Sequence, residues 1–160
     1  MIRRLKVLIG ELMTKDPITV REDTSVKEAL RLLSTYQISG LPVVTAQNSM
    51  IGIMSEYDLL AKEGQTVGDI MTRSVISVTP DTPVELVSHL LTDHRIRRLP
   101  VLSEGKLVGI VSRSDIIRMM SLQWHCEICG ETLRGEKAPE KCGRCGSNVT
   151  FAHALVTPGM

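Results

Sequence analysis

The feature that most constrains this chain is an internal repeat. Glu11 to Val44 matches Asp69 to Leu102 at a constant offset of 58 residues, and the match continues at an offset of 57 as far as Asp58 and Asp115. A similarity that extends over whole units of this length indicates two copies of one fold. Because about 50 residues are marginal for a stable domain, we expect the copies to pack on each other around a pseudo-twofold axis.

Each copy predicts the order strand, helix, strand, strand, helix. An order of this kind predicts an α+β fold, in which helices cover one face of a small sheet. In the second copy, Thr82, Pro83 and Glu85 predict a capping box with Thr82 as the N-cap. The predicted elements are Ile18–Val20, a helix from Thr24, Leu41–Val44, Ile51–Met54 and a helix from Ser55 in the first copy, and Val75–Val78, a helix from Thr82, Leu99–Leu102, Leu107–Val111 and a helix from Ser112 in the second.

Both copies carry Ser-x-x-Asp where the hairpin ends, as Ser55 with Asp58 and as Ser112 with Asp115. One interpretation is a capping box, in which the serine and the aspartate satisfy backbone donors of the first turn. The other is a ligand site, in which the helix N-terminus and the serine hydroxyl face a phosphate while the carboxylate accepts the two hydroxyls of a ribose. The two interpretations are compatible, and the sequence leaves both open.

The order Met-Thr, Thr-Val or Ser-Val, Leu-Pro-Val, Gly-Ile and Ser-x-x-Asp, present twice, resembles a tandem pair of CBS domains, the Bateman module, over roughly residues 7 to 120. The resemblance implies a sensor that binds AMP, ADP, ATP or S-adenosylmethionine in clefts between the repeats. Carried over by position, one cleft would combine Ser112 and Asp115 with Pro17, Ile18, Ile38 and Ser39, and its mate would combine Ser55 and Asp58 with Val75, Ile76, Ile96 and Arg97.

The copies differ in charge just before the Leu-Pro pair. The second copy has Arg97 and Arg98 where the first has Ser39 and Gly40. The arginine pair resembles a basic version of the motif that touches phosphates in some members of the family. We therefore expect one occupied, or tighter, nucleotide cleft; the alternative is that the two arginines are solvated surface charges.

All four cysteines lie near the C-terminal end, in two Cys-x-x-Cys-Gly knuckles formed by Cys126 with Cys129 and by Cys142 with Cys145. This spacing predicts one tetrahedral site of four thiolates, and either zinc or iron fits such a ligand set. Two disulfides are the alternative. About 30 residues cannot build a sufficient core, so the metal, with a binding free energy of roughly 10 to 16 kcal/mol, is expected to fold this region.

The cysteine region, with Trp124 before the first knuckle and Ala138-Pro139-Glu140 before the second, resembles a zinc ribbon and especially the rubredoxin-like domain of rubrerythrins. It departs from that pattern at Glu131, where an aromatic residue is usual, and at Gly143, where proline is common. We treat His125 and His153 as ordinary residues outside the metal site. The predicted domains are residues 7–64 and 65–121 for the CBS repeats, 122–154 for the ribbon and 155–160 for a tail.

Composition and motifs argue against several classes of function. The net charge of +1 and an aromatic content of 2% argue against a nucleic-acid partner. No apolar run is long enough for a membrane span and no secretory signal is visible, so we expect a cytoplasmic protein. A closed four-cysteine site leaves no open metal position, and none of the common catalytic motifs occurs, so we expect no enzyme activity.

The leading hypothesis is a regulatory module that senses an adenosine-type ligand and carries the ribbon as a structural or partner-contact element. The alternative is a rubredoxin-like iron protein for one-electron transfer, gated by the repeats. Nucleic-acid binding through Arg134, Lys137, Lys141 and Arg144 ranks lower. We expect a homodimer, because such pairs commonly stack apolar helix faces across a twofold axis.

Overall fold

The computed structural model describes residues 7–134, 137–148 and 151–153, and the predicted tail lies outside them. The described chain mixes helices and strands, which confirms the α+β class. Its elements are a short 3-10 helix (Ile9–Glu11), β1 (Thr14–Lys15), α1 (Val26–Tyr36), β2 (Gly40–Val44), β3 (Met50–Ser55), α2 (Glu56–Ala61), α3 (Val67–Ile70), α4 (Val84–Asp93), β4 (Arg98–Ser103), β5 (Lys106–Ser112), α5 (Arg113–Ser121), β6 (Gln123–Cys126), β7 (Thr132–Arg134) and β8 (Phe151–His153).

The chain divides into two compact units. Unit 1 combines the described residues up to Met13 with Asp81–Arg98 and with the described residues from Val111 onward. Unit 2 combines Thr14–Pro80 with Leu99–Ile110. Each unit is therefore assembled from segments that are distant in sequence.

Unit 2 is built on the hairpin of β2 and β3, which pair antiparallel with Gly40 opposite Ser55. All five residues of β2 are buried, as expected for a strand covered on both faces. Helix α1 places Ala29 and Leu33 against Leu41 and Met54 in one apolar cluster. The same hairpin thereby places Ser55, and the start of α2, at the end of a fixed strand.

The second hairpin, β4 with β5, belongs to a three-stranded sheet in the order β1-β5-β4. Strand β1 pairs antiparallel with β5, with Thr14 opposite Ile110. At the first hairpin the equivalent contact is a bridge between Thr72 and Ile53. The Met-Thr segment that precedes each repeat therefore pairs with a hairpin in the same way twice.

The segments before the repeats also complete the starts of the first helices. In unit 2 the amide of Val26 donates to Gln65 and that of Val67 donates to Thr24. In unit 1 the amide of Val84 donates to Val7 and that of Ile9 donates to Thr82. Each helix start thus pairs with a segment that the repeat alignment assigns to the other copy.

The helix starts differ from the predicted ones at α1 and at α4. The N-cap of α1 is Ser25, because the Thr24 hydroxyl instead accepts a hydrogen bond from the Arg21 amide. The N-cap of α4 is Pro83, which offers no side-chain acceptor, so the predicted cap at Thr82 is one residue too early. Backbone pairing with the N-terminal segment satisfies the amide of Val84, one of the first-turn donors that have no partner within the helix.

The opening strands predicted at Ile18–Val20 and Val75–Val78 are reduced to single parallel bridges, Val20 to Val43 and Val78 to Val101. The predicted hairpin strands are confirmed and extend one or two residues further.

In the cysteine region, β6 pairs with both β7 and β8. No helix among the described residues has the length and apolarity to cross a bilayer.

We predict that Ile9→Ala destabilises the protein by about 2–5 kcal/mol, because Ile9 is fully buried where the N-terminal segment completes unit 1. Urea unfolding followed by circular dichroism measures the effect. Ile117→Ala is the matched control, since Ile117 is 63% exposed and its loss is expected to change stability by no more than about 0.5 kcal/mol. Equal stability of the two variants would contradict an integral role for the N-terminal segment.

Candidate metal centre and helix-cap sites

The sulfur atoms of Cys126, Cys129, Cys142 and Cys145 all lie within 4.8 Å of one another. The shortest separations join the two knuckles, with 3.8 Å from Cys126 to Cys145 and 3.6 Å from Cys129 to Cys142. Four sulfurs held tetrahedrally at about 2.3 Å from one ion lie about 3.8 Å apart. The arrangement therefore fits a four-thiolate metal site, and the distances are too long for S–S bonds, which are about 2.05 Å.

The two knuckles share one backbone geometry. The amides of Gly130 and Gly146 donate to the carbonyls of Cys126 and Cys142, in each case at 2.9 Å. Both glycines have a positive φ, 75° and 72°, which a residue with a side chain rarely adopts. The glycine after each Cys-x-x-Cys is thus required by the turn that brings its two sulfurs together.

The surroundings of the four sulfurs stabilise the thiolate form to different degrees, so the pKa values of the cysteines differ. Hydrogen bonds from the amides of Cys129 and Ile128 lower the pKa of Cys126 to about 6. The amide of Glu131 favours the Cys129 thiolate, but burial and the neighbouring cysteine sulfurs outweigh it and raise the pKa of Cys129 to about 12. A bound divalent cation would supply the positive charge needed to keep all four groups deprotonated together.

Two contacts that the sequence did not predict surround the sulfurs. The hydroxyl of Ser147 lies 3.2 Å from the sulfur of Cys145 and helps to lower the pKa of that thiol. Arg144 in the second knuckle pairs with Glu131, which follows the first, at 3.3 Å. Glu131, the departure from the rubredoxin-like pattern, therefore joins the two knuckles.

The Ser-x-x-Asp motif of the first repeat forms the capping box that its spacing predicts. One carboxylate oxygen of Asp58, Oδ2, accepts from the amide and the hydroxyl of Ser55 at 2.9 and 2.7 Å. The amide of Asp58 donates in turn to the Ser55 hydroxyl at 3.4 Å. The box closes α2 against the end of β3.

Asp58 is also held by two groups that the sequence analysis missed. Its other oxygen, Oδ1, accepts from the Lys62 ammonium at 2.7 Å and from the Thr72 hydroxyl at 3.0 Å. Burial opposes ionisation of this carboxyl, which is 2% exposed, but the bonds from Lys62, Ser55 and Thr72 outweigh that cost and hold the pKa of Asp58 below its usual value. The spacing of four residues between Asp58 and Lys62 was the available sequence signal.

The second motif forms the same capping box without the additional partners. Oδ2 of Asp115 accepts from the amide and hydroxyl of Ser112 at 2.8 and 2.7 Å. Among the described residues, no group donates to Oδ1 of Asp115, and the side chain is half-buried. The position equivalent to Lys62 is Met119. Within the described part of the chain, one carboxylate oxygen of Asp115 therefore has no protein donor.

Two of the remaining predicted residues lie beside the cap of their own repeat. The carbonyl of Ser39 accepts from the amide of Glu56 at 3.2 Å, and the carbonyl of Arg97 accepts from that of Arg113 at 3.1 Å. Arg97 therefore lies beside the start of α5, the helix of Asp115. Those predicted ligand residues that are half-buried are Pro17, Ile18, Ile38, Ser39, Val75, Ile96 and Arg98, whereas Ile76 and Arg97 are exposed. Their grouping into two clefts stays a prediction.

Comparison with known families now identifies the repeats. A CBS-domain model matches residues 9–63 and again residues 67–122. The chain belongs to the CBS domain family. A model of the rubredoxin-like domain of rubrerythrin matches residues 124–149, directly after the second CBS domain. The predicted tandem pair followed by a rubredoxin-like region is confirmed.

Among sequence relatives of this CBS protein, inosine-5'-monophosphate dehydrogenase of Methanocaldococcus jannaschii is 39% identical over 111 residues, which are 68% of this chain and 22% of that enzyme. The protein MJ1225 of the same organism is 32% identical over 122 residues, which are 72% of this chain and 44% of the relative. The chain spans less than half the length of these two relatives.

Solved structures of CBS pairs share the fold. CBSX2 in complex with AMP is 37% identical, with a TM-score of 0.67, over 69% of this chain and 93% of that one. The CBS pair of protein MJ0100, in complex with 5'-methylthioadenosine and S-adenosylmethionine, is 33% identical, with a TM-score of 0.66, over 71% of this chain and 94% of that one. Both neighbours bind compounds that contain adenosine.

We predict that Cys129→Ser abolishes stable binding of one metal ion per chain, because it removes one of four thiolates from a site that has no fifth cysteine to replace it. Metal content after gel filtration, measured by plasma mass spectrometry, checks this. Ile128→Ser, in the same knuckle but 63% exposed, is the control and is expected to retain the metal. Full metal occupancy in Cys129→Ser would argue against the four-sulfur site.

Proposed function

We propose that this CBS protein is a regulatory binding module that senses an adenosine-containing ligand, one of AMP, ADP, ATP or S-adenosylmethionine. The observation that carries the proposal is the cap of Ser112 and Asp115, in which one carboxylate oxygen is engaged by the helix and the other faces no protein donor among the described residues. A carboxylate of this kind can accept the hydroxyls of a ribose. Neighbouring CBS pairs solved with AMP, or with 5'-methylthioadenosine and S-adenosylmethionine, support this ligand class.

The residues that would surround the ligand are those the family resemblance assigns by position. We propose that Asp115 accepts the ribose hydroxyls and that Ser112 and the first amides of α5 donate toward a polar group of the ligand. The apolar base would pack against half-buried aliphatic residues of the other repeat, Ile18 and Ile38.

We propose that the cysteine region is a structural or partner-contact element that binds one zinc or iron ion. The four sulfurs suit either metal, and a resident ion would supply the cross-link that a region of this size needs to fold. Arg144 is one of the cations that a nucleic-acid site would need, but it forms an ion pair with Glu131. This pairing favours a protein partner over nucleic acid. The protein is proposed to act in the cytoplasm, as a homodimer and without a catalytic step of its own.

The match to a rubredoxin-like domain favours one second candidate, one-electron transfer by iron in the cysteine site. In that case the CBS pair would gate the redox centre. Only iron would serve this second function, because zinc has no accessible redox change. Visible absorption that is bleached reversibly by dithionite in protein purified without added metal would favour the electron carrier, and a colourless zinc protein would exclude it.

We predict that isothermal titration of the metal-loaded chain shows saturable binding of at least one of AMP, ATP and S-adenosylmethionine. Asp115→Asn is expected to weaken that binding at least tenfold, since a hydrogen bond to a charged group contributes about 1.5–3 kcal/mol. Asp93→Asn, which alters an exposed aspartate at the end of α4, is the control and is expected to bind normally. Flat titrations of the intact chain with all three compounds would contradict the proposed function.

A further inference from the structure

The two cysteine knuckles have matching backbones but different side chains around their sulfurs. In each knuckle the amide of the first cysteine donates at 2.9 Å to the carbonyl of the residue after the knuckle glycine, which is Glu131 in the first knuckle and Ser147 in the second. The amides of these two residues form hydrogen bonds with the sulfurs of Cys129 and Cys145. Glu131 and Ser147 are therefore structurally equivalent, and the knuckles differ here through the side chains of these two residues.

Those two side chains contact different groups. The carboxylate of Glu131 forms an ion pair with Arg144 at 3.3 Å. The hydroxyl oxygen of Ser147 lies instead 3.2 Å from the sulfur of Cys145 and 3.7 Å from the sulfur of Cys126. Because a thiolate has no proton to donate, the hydroxyl is the donor when these sulfurs are metal ligands. One serine side chain therefore contacts a sulfur of each knuckle.

The four cysteines also differ in their exposure to solvent. Cys126 and Cys142 are buried and Cys129 is half-buried. Cys145 is exposed, so a chelator can approach a bound ion from this side, and the Cys145 side chain can turn away from the ion without opening a cavity. Among the described residues other than the cysteines, both groups that form hydrogen bonds with the Cys145 sulfur, an amide and a hydroxyl, belong to Ser147.

We propose that the metal ion of the cysteine region exchanges through Cys145, and that Ser147 is the positioning residue that sets the rate of this exchange. The inference rests on the proposed role of the cysteine region as a binder of one ion, and it adds the ligand at which the site opens. The Ser147 hydroxyl keeps the exposed sulfur of Cys145 close to the buried sulfur of Cys126. Without that hydroxyl, Cys145 retains the amide bond alone and turns into solvent more often.

Alkylation of the zinc-loaded full chain with iodoacetamide, followed by peptide mass spectrometry, identifies the ligand that opens first. All four cysteines of the chain belong to the proposed site, so each modification reports a sulfur that has left the ion. Cys145 is expected to react roughly tenfold faster than each of the other three, because reactive thiolates are accessible ones. A faster reaction at another cysteine, or equal rates at all four, would overturn the inference.

Transfer of zinc from the loaded chain to a colorimetric chelator tests the role of Ser147. Ser147→Ala is expected to accelerate zinc release and Cys145 alkylation together, each by roughly tenfold, because one hydrogen bond to a charged sulfur is lost. Ser147→Thr keeps a hydroxyl and is expected to restore slow release. Asn148→Ala, which alters the exposed next residue, is the control and is expected to release zinc at the rate of the unmodified chain.

The cobalt-loaded chain separates a direct effect on the sulfurs from a general loss of structure. Because the Ser147 hydroxyl contacts two ligand sulfurs, Ser147→Ala is expected to shift the sulfur-to-cobalt charge-transfer bands, whereas Asn148→Ala leaves them in place. Unchanged bands or unchanged zinc release in a loaded Ser147→Ala chain would overturn the inference and leave the metal-binding role standing. If Ser147→Ala binds no metal, alkylation of the unmodified chain decides. If the unmodified chain retains no metal, the proposed role of the cysteine region itself fails.

Discussion

The hydrogen bonds between an N-cap serine and the aspartate three residues later fix the geometry on which both candidate ligand positions depend. In each repeat the serine is the last residue of a half-buried strand and also the N-cap of the following helix. The aspartate needs only one of its oxygens for this purpose. Each repeat therefore positions a carboxylate through local backbone geometry, and the environment of the second oxygen decides what that carboxylate can bind.

Much of this architecture could be predicted from the sequence because it depends on local patterns. The repeat in register, the hairpin strands and the two serine caps all follow from spacing, and so does the convergence of four cysteines. The start of α4 could not be predicted in the same way. Pro83 takes the cap position because Val7 and Ile9, distant in sequence, pair with Thr82 and Val84, and such long-range pairing overrides a local capping signal.

The residues of the two helix caps could be predicted from the sequence, but the differences between the two caps could not. Sequence spacing identified Asp58 and Asp115 as equivalent, and it could not show that Thr72 lies against one of them. Lys62 was visible at four residues after Asp58, but a pair at this spacing is usually a weak surface interaction of about 0.3–0.5 kcal/mol. Burial makes this ion pair more important than a surface pair, since Asp58 is 2% exposed and Lys62 supplies the opposite charge that contacts it.

Magnitudes show why this ion pair matters for ligand binding. Breaking a fully buried ion pair by removing one partner costs roughly 3–5 kcal/mol, because it leaves an uncompensated charge. The cost at Asp58 is smaller, because the Lys62 side chain is 38% exposed and solvent screens the pair. Two ribose hydroxyls donating to a carboxylate would return about 1.5–3 kcal/mol each. At Asp58 the loss of the ammonium would offset part of that contribution, before the loss of ligand freedom is counted. At Asp115 no described residue supplies an ammonium, so the same two hydrogen bonds would contribute without that loss, and we expect two caps of the same backbone geometry to differ in affinity through one side chain.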